Sequence, residues 1–348
     1  MKIYKFGKIP TGSVQEMKGM LRLIDNSIPQ IIVLSATTET TERLAGIVAH
    51  LFNRDTEQAH DEISRLEFSF IDFANELFND ESIKQQAVDS IIDRFRTLWN
   101  FTRQRFTSVD EKDILAQGEF ISSMLVSLYL KEQGINNRLL NSLDFMRLAP
   151  EEEPDMEYIG TKLHLLLAEH KSTNVFLTQG HLCRNAYNET CYLKQGGDDV
   201  SATLIGAALQ AQEVCLWTDS KELHRCDPRF VKHPAMVKQL SFDEAEQLAY
   251  CGWTGFNPHC ILPARENNIP IRLLCSMEPA EGGTLISNSQ SGENIKAITA
   301  RDNIYYIKFQ SNRTLRPYLF ISKIFDTFAK YHTSLCLFAS SGSDVSVA

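Results

Sequence analysis

Residues 5–14 read KFGKIPTGSV: Lys5 and Lys8 flank Gly7, Pro10 follows, and Gly12 and Ser13 close the stretch. After the strand-like MKIY, this suits either a phosphate-cradling loop or an ordinary basic turn. Lys5 would end a buried strand, where an ammonium is costly unless it pairs with an anion or reaches solvent. A second group of chemical interest is Gly196-Gly197-Asp198-Asp199, a glycine turn that feeds carboxylates into the start of an apolar helix. Thr218-Asp219 closes an apolar run and suits a site or an Asx turn. The eight cysteines lie between Cys183 and Cys336 without a C-x-x-C pair, and the nine histidines lack H-E-x-x-H or H-x-x-H spacing. Those patterns favour reduced, mostly buried thiols in a cytoplasmic protein over a disulfide frame or a zinc site.

The elements that must position these groups follow from the apolar periodicity. QIIVLSA (30–36) and VFLTQGH (175–181) read as buried parallel strands ending in polar turns. Thr40 and Thr41 are expected to cap a helix carrying Leu44, Ile47, Val48 and Leu51. Residues 50–112 read as antiparallel helices covering one face. ILAQGEFISSMLVSLYLKEQG (114–134) reads as a short strand, a glycine turn and a long helix stopped by Gly134, which would put Glu119 between strand and helix. EVCLWTD (213–219) and IPIRLLC (269–275) are further strands, and SFDEAEQLAYCG (241–252) is a capped helix. The repeated strand, turn, helix order predicts an α/β sheet covered on both faces, with its ligand site outside the carboxyl ends of the strands. NSQSGEN (288–294) reads as a linker. Beyond it, 295–348 reads as a β-β-α-β unit that stops at Ala348. A length of 348 residues suits two domains. The net charge of −9 argues against nucleic acid as a partner, and no apolar run approaches the roughly 18 residues that span a bilayer.

Taken together, KFG (5–7) with GSV (12–14), VLSA (33–36), QGE (117–119), GG-x-D (196–199), WTD (217–219), DPRFV (227–231), EAEQLAY (244–250) and NIPIRLL (268–274) resemble aspartokinases of the amino-acid kinase superfamily over almost the whole chain. The resemblance implies a three-layer α/β/α sandwich over 1–287 and a truncated first ACT-like α+β domain over 295–348. It also implies transfer of the γ-phosphoryl of ATP, with nucleotide-borne Mg²⁺ and no protein side chain on the metal, to the β-carboxylate of L-aspartate. By residue, it implies catalytic roles for Lys5 and Asp199. Substrate contacts fall to Thr41, Glu119 (the ammonium) and Gln195. Nucleotide contacts fall to Gly7, Lys8, Thr218, Asp219, Asp227, Arg229 and Thr254. Homo-oligomers through ACT-type pairing would follow if that domain is complete.

Several positions depart from the family pattern. Lys8, Ile9 and Pro10 stand where the family has Gly-Thr-Ser. Gln195 replaces an arginine that would clamp a carboxylate, and a neutral amide cannot supply that charged fork. Asp198 replaces a serine, Thr254 a lysine, and His181 a phenylalanine. Loss of one preorganised donor typically costs about 10²–10³ in rate. Two independent losses, at Gln195 and Thr254, amount to roughly 5–8 kcal/mol of barrier. Three readings stand: a weakened or redirected aspartokinase-type enzyme, an inactive homologue serving as a binding or regulatory subunit, and a kinase for another small acid. Cys336, where lysine-responsive relatives would carry an acid, predicts no lysine or threonine binding tighter than millimolar; Asp344 reads as a solvated strand-end residue.

Overall fold

The computed structural model describes residues 1–6, 13–21, 23–193, 196–218, 224–226, 231–232, 234–253, 256–275, 282–289, 295–300, 304–310, 317–331, 333, 335–341 and 344–348. The chain opens with β1 (Lys2–Phe6), α1 (Val14–Leu21) and β2 (Gln30–Leu34). Four helices follow: α2 (Thr38–Phe52), α3 (Thr56–Leu77), α4 (Glu81–Phe101) and α5 (Ser108–Glu132). The sheet resumes with β3 (Asn137–Leu139), α6 (Met156–Ala168) and β4 (Val175–Gln179), then the hairpin β5 (Leu182–Arg184) and β6 (Thr190–Tyr192). Next come α7 (Gly197–Leu209), β7 (Glu213–Thr218), β8 (Gln239–Ser241), α8 (Phe242–Tyr250), α9 (Ile261–Glu266), β9 (Ile271–Cys275) and β10 (Thr284–Ser287). The C-terminal portion holds β11 (Ile307–Gln310), α10 (Pro317–Lys330), β12 (Phe338–Ser341) and β13 (Asp344–Val347).

The main sheet has the order β3-β4-β2-β1-β7-β9-β10-β8. Its first six strands are parallel, and β10 runs antiparallel to β9 and parallel to β8. Residues alternate between two cores. Ile3, Ile31, Val33, Phe176, Val214 and Leu216 pack with α6 to α9, whereas Phe6, Ile32, Leu34, Leu177, Cys215 and Trp217 pack with α2 to α5. Both faces are buried, so the strands read as unbroken apolar runs. The result is the expected layered α/β/α arrangement.

Three local expectations are corrected. The strand and turn expected at 114–119 do not form, because α5 runs unbroken through Gly118. A Cβ at Gly118 would lie 3.0 Å from Thr40 Cγ2, 3.1 Å from Leu44 Cδ1 and 3.2 Å from Ala36 Cβ. That glycine serves close packing of α2 on α5 rather than a turn. The N-cap of α2 is Thr37, whose hydroxyl accepts from Thr40 N, so Thr40 and Thr41 are already inside the helix. In the C-terminal portion, β11 is the strand described ahead of α10, and Ile298 instead makes an isolated bridge to Cys226. The three-stranded sheet there has the order β11-β13-β12, so the described unit is β-α-β-β. Asp344 opens β13, at a strand end as expected, and its partly exposed carboxylate pairs there with Lys308 at 2.8 Å.

Candidate active site

β1 sits where the strand order reverses: the chain moves from β1 to β2 and β4 on one side, then crosses back through α7 to β7 on the other. In an open α/β sheet such a reversal leaves a crevice at the strands' carboxyl ends. Lys5 from β1, Ser35 after β2 and Gly180-His181 after β4 arrive there, opposite the first turn of α7. That turn starts at Gly196, in the left-handed region at φ 68°, where a Cβ would run into the Asn257 side chain. Carboxylates in the first turn of a helix are stabilised by its exposed N–H groups, and α7 places Asp198 and Asp199 there.

The side chains form one ionic network. Lys5 Nζ lies 3.0 Å from Asp198 Oδ2 and 2.8 Å from Asp199 Oδ1. Ser35 Oγ donates to Asp198 Oδ2 at 3.0 Å, and Asn257 N donates to Asp199 Oδ2 at 3.0 Å. Glu119 Oε2 accepts from the backbone N–H groups of Gly180 and His181, each at 3.1 Å, and its Oε1 lies 3.1 Å from His181 Nδ1. His181 Nε2 reaches toward Asp198 Oδ1 at 3.8 Å. Packing behind the site fixes Glu119: Ser123 Oγ, one turn later, donates to Glu119 O at 2.7 Å and accepts from Gln179 Nε2 at 2.7 Å. Gln179 Oε1 in turn accepts from Ser142 N at 2.9 Å. Helix α5 is thereby tied to the end of β4.

The charges set one another. Burial alone would push the Lys5 ammonium down, but the neighbouring carboxylates of Asp199 and Asp198 outweigh it and hold the pKa well above the ordinary lysine value. Burial raises the Asp198 carboxyl, and Lys5 and His181 more than offset this, leaving it below the usual range. For His181, burial and Lys5 oppose the charge, whereas the Glu119 hydrogen bond, the Glu119 charge and the Asp198 charge favour it; the net direction is up.

Among the residues expected from sequence, Lys5, Glu119 and Asp199 come together, with Gly196 in the turn below them. Glu119 arrives from mid-helix rather than from a strand–helix junction. Thr41 lies exposed on α2, and its hydroxyl donates to Thr37 O at 3.0 Å. Thr218 ends β7, beside β1. Gly7, Lys8, Gln195, Asp219, Asp227, Arg229 and Thr254 lie outside the described residues, as do Ile9 and Pro10. Sequence reasoning missed Ser35 as a partner of Asp198 and the Asn257 N–H as a partner of Asp199. It registered His181 only as a replacement. The signal for Ser35 was its place immediately after a buried strand, in line with Lys5 and His181.

A mostly parallel sheet carrying a lysine near the end of its first strand, opposite a glycine turn and a helix N-terminus, has the layout of an open α/β fold with its ligand crevice at the strands' carboxyl ends. Residues 12–275 match the model of the amino acid kinase family, and the chain belongs to that family. Its relatives include aspartokinases. It is 28% identical to chloroplastic aspartokinase 3 of Arabidopsis thaliana, over 99% of this chain and 64% of the relative. It is 25% identical to lysine-sensitive aspartokinase 3 of Escherichia coli, over 99% and 77% respectively. The chain therefore spans just under two thirds of the length of chloroplastic aspartokinases 2 and 3 of Arabidopsis thaliana, at 65% and 64%. Its fold matches the crystal structure of E. coli aspartokinase III in complex with aspartate and ADP, with a TM-score of 0.80, 23% identity, and coverage of 100% of this chain and 78% of that one. It also matches Clostridium acetobutylicum aspartate kinase, with a TM-score of 0.82, 20% identity and the same coverage. Among the described residues no helix is long and apolar enough to cross a membrane.

Proposed function

We propose that this chain is an aspartokinase-type phosphotransferase unit that moves the γ-phosphoryl of ATP to a carboxylate of a small acid, L-aspartate being the reference acceptor. The observation that carries the reading is Lys5: a largely but not fully buried ammonium at the end of β1, at the switch point, fixed by Asp198 and Asp199 against the N-terminus of α7. A preorganised cation of this kind stabilises charge on a transferring phosphoryl group. Glu119 and His181 form the opposite wall, which we assign to the acceptor. Mg²⁺ would arrive with the nucleotide and neutralise phosphate charge there, with no protein side chain assigned to it. We also propose 288–294 as the boundary to an ACT-like unit over 295–348, with pairing of such units as the route to an oligomer.

A second reading, an inactive member acting as a binding or regulatory subunit, has one observation in its favour: Asp198 puts a second carboxylate on Lys5 and already neutralises it. Calorimetric titration with Mg-ATP, followed by a transfer assay with small carboxylic acids, separates the two. Saturable nucleotide binding and transfer that Lys5→Arg lowers at least tenfold support the enzyme. Absence of nucleotide binding would favour the second reading.

A further inference from the structure

The wall assigned to the acceptor is already occupied by an imidazole set between carboxylates. Glu119 is buried, and its two oxygens already take two backbone N–H groups and the His181 ring. The imidazole lies between two carboxylates, Glu119 on α5 and Asp198 on α7, with the Lys5 ammonium of β1 on the far side of Asp198. Each of the three carboxylates is engaged: Glu119 by His181, Asp198 by Lys5, Ser35 and His181, and Asp199 by Lys5 and the Asn257 N–H. A ligand ammonium brought to this wall would have to displace the imidazolium from Glu119 and would meet its like charge. It would exchange one buried ion pair for another and gain no new one.

We infer that His181 is a specificity-determining residue that occupies the ammonium-recognition point of the site, so that the acceptor is a carboxylic acid without an α-ammonium group. This rests on the assignment of Glu119 and His181 to the acceptor wall. The class is a plain or hydroxy-substituted dicarboxylate. Succinate, L-malate and L-aspartate carry the same two carboxylates and differ at one carbon. Their relative binding therefore isolates the ammonium from the anionic load that all three bring.

The test is equilibrium binding of these three acids to the full chain, with and without Mg-ADP, at pH 6, 7.5 and 9. Succinate or malate is expected to bind at least tenfold more tightly than aspartate at pH 6. The ratio should shrink toward pH 9 as the imidazolium loses its proton. His181→Phe removes the internal cation and should reverse the order in favour of aspartate; His181→Gln keeps a neutral donor for Glu119 and should bring the ratio near one. A purely packing role for His181 would leave the ratio independent of pH. Tighter binding of aspartate to the unaltered chain, a ratio unmoved in both variants, or no binding of any of the acids would overturn the inference. Acid binding with the expected order but without nucleotide binding would instead overturn the phosphotransferase reading and leave this one standing.

Discussion

Two carboxylates hold Lys5 where one would neutralise it. A purely catalytic role for Lys5 would let Lys5→Ala remove activity and leave folding intact. With Asp198 and Asp199 both within 3.0 Å and largely buried, the substitution strands two like charges side by side. It should destabilise the fold by about 3–5 kcal/mol at neutral pH, the usual cost of breaking a buried pair from one side. Adding Asp198→Asn should recover a large part of that loss, measured as the coupling in a double-mutant cycle by urea unfolding; additive effects would refute the pairing. The pH dependence carries two opposite signs. His181 has a raised folded pKa, so its stabilisation is complete below the unfolded value of about 6.5 and is lost as pH rises through the folded value. Asp198 has a lowered folded pKa, so its share is present above about 3.9 and is lost as pH falls through the folded value. Unfolding free energy should therefore decline on the alkaline side of 6.5 in the unaltered chain, with Glu119, Asp198 and Lys5 as the charges facing the ring. The decline should be absent in His181→Gln, and an identical slope in both proteins would remove His181 from this role.

At the scale of elements, the strands were legible because both faces of the sheet are apolar, and the capping box of Ser241 and Glu244 on α8 was legible from its spacing. The course of α5 was not. Gly118 reads as a turn in isolation, but the fourteen residues that follow it are helical, and the glycine is required by Thr40 and Leu44 of another helix. Helix–helix proximity has no local sequence signal, and it is what displaced Glu119 from the expected junction. Gly118→Val should destabilise the chain by about 1–3 kcal/mol through overpacking against α2, read as a lower midpoint in chemical denaturation. Thr37→Ala should cost about 1 kcal/mol through loss of the α2 cap. Thr41→Ala, expected from sequence to remove a cap, should cost less than Thr37→Ala. The hairpin of β5 and β6 also went unread, since its strands are only three residues each and its tip lacks a glycine, using Asn188 at φ 65° instead.

Across the whole molecule, the charge-bearing loops at the strand ends come from segments far apart in sequence. Lys5, Glu119 and Asp199 could be recognised one at a time, but their mutual neutralisation, and the part His181 takes in it, could not. That closure depends on the reversal of strand order at β1, which places β2 and β4 on one flank and α7 over the other. The two sides of the wall proposed for the acceptor are also built on parts of very different permanence. Glu119 belongs to a helix of 25 residues, about 37 Å long by the ordinary rise, most of whose length beyond Ile114 is buried. His181 belongs to the short passage between β4 and the hairpin, and its side chain is one-third exposed. Amide hydrogen exchange should separate them by timescale, with the α5 amides around Glu119 among the last to exchange and the hairpin amides opening by local fluctuations far below the global unfolding energy. Entry to the acceptor wall would then proceed by departure of the imidazole side, while the glutamate stays fixed as long as the protein is folded.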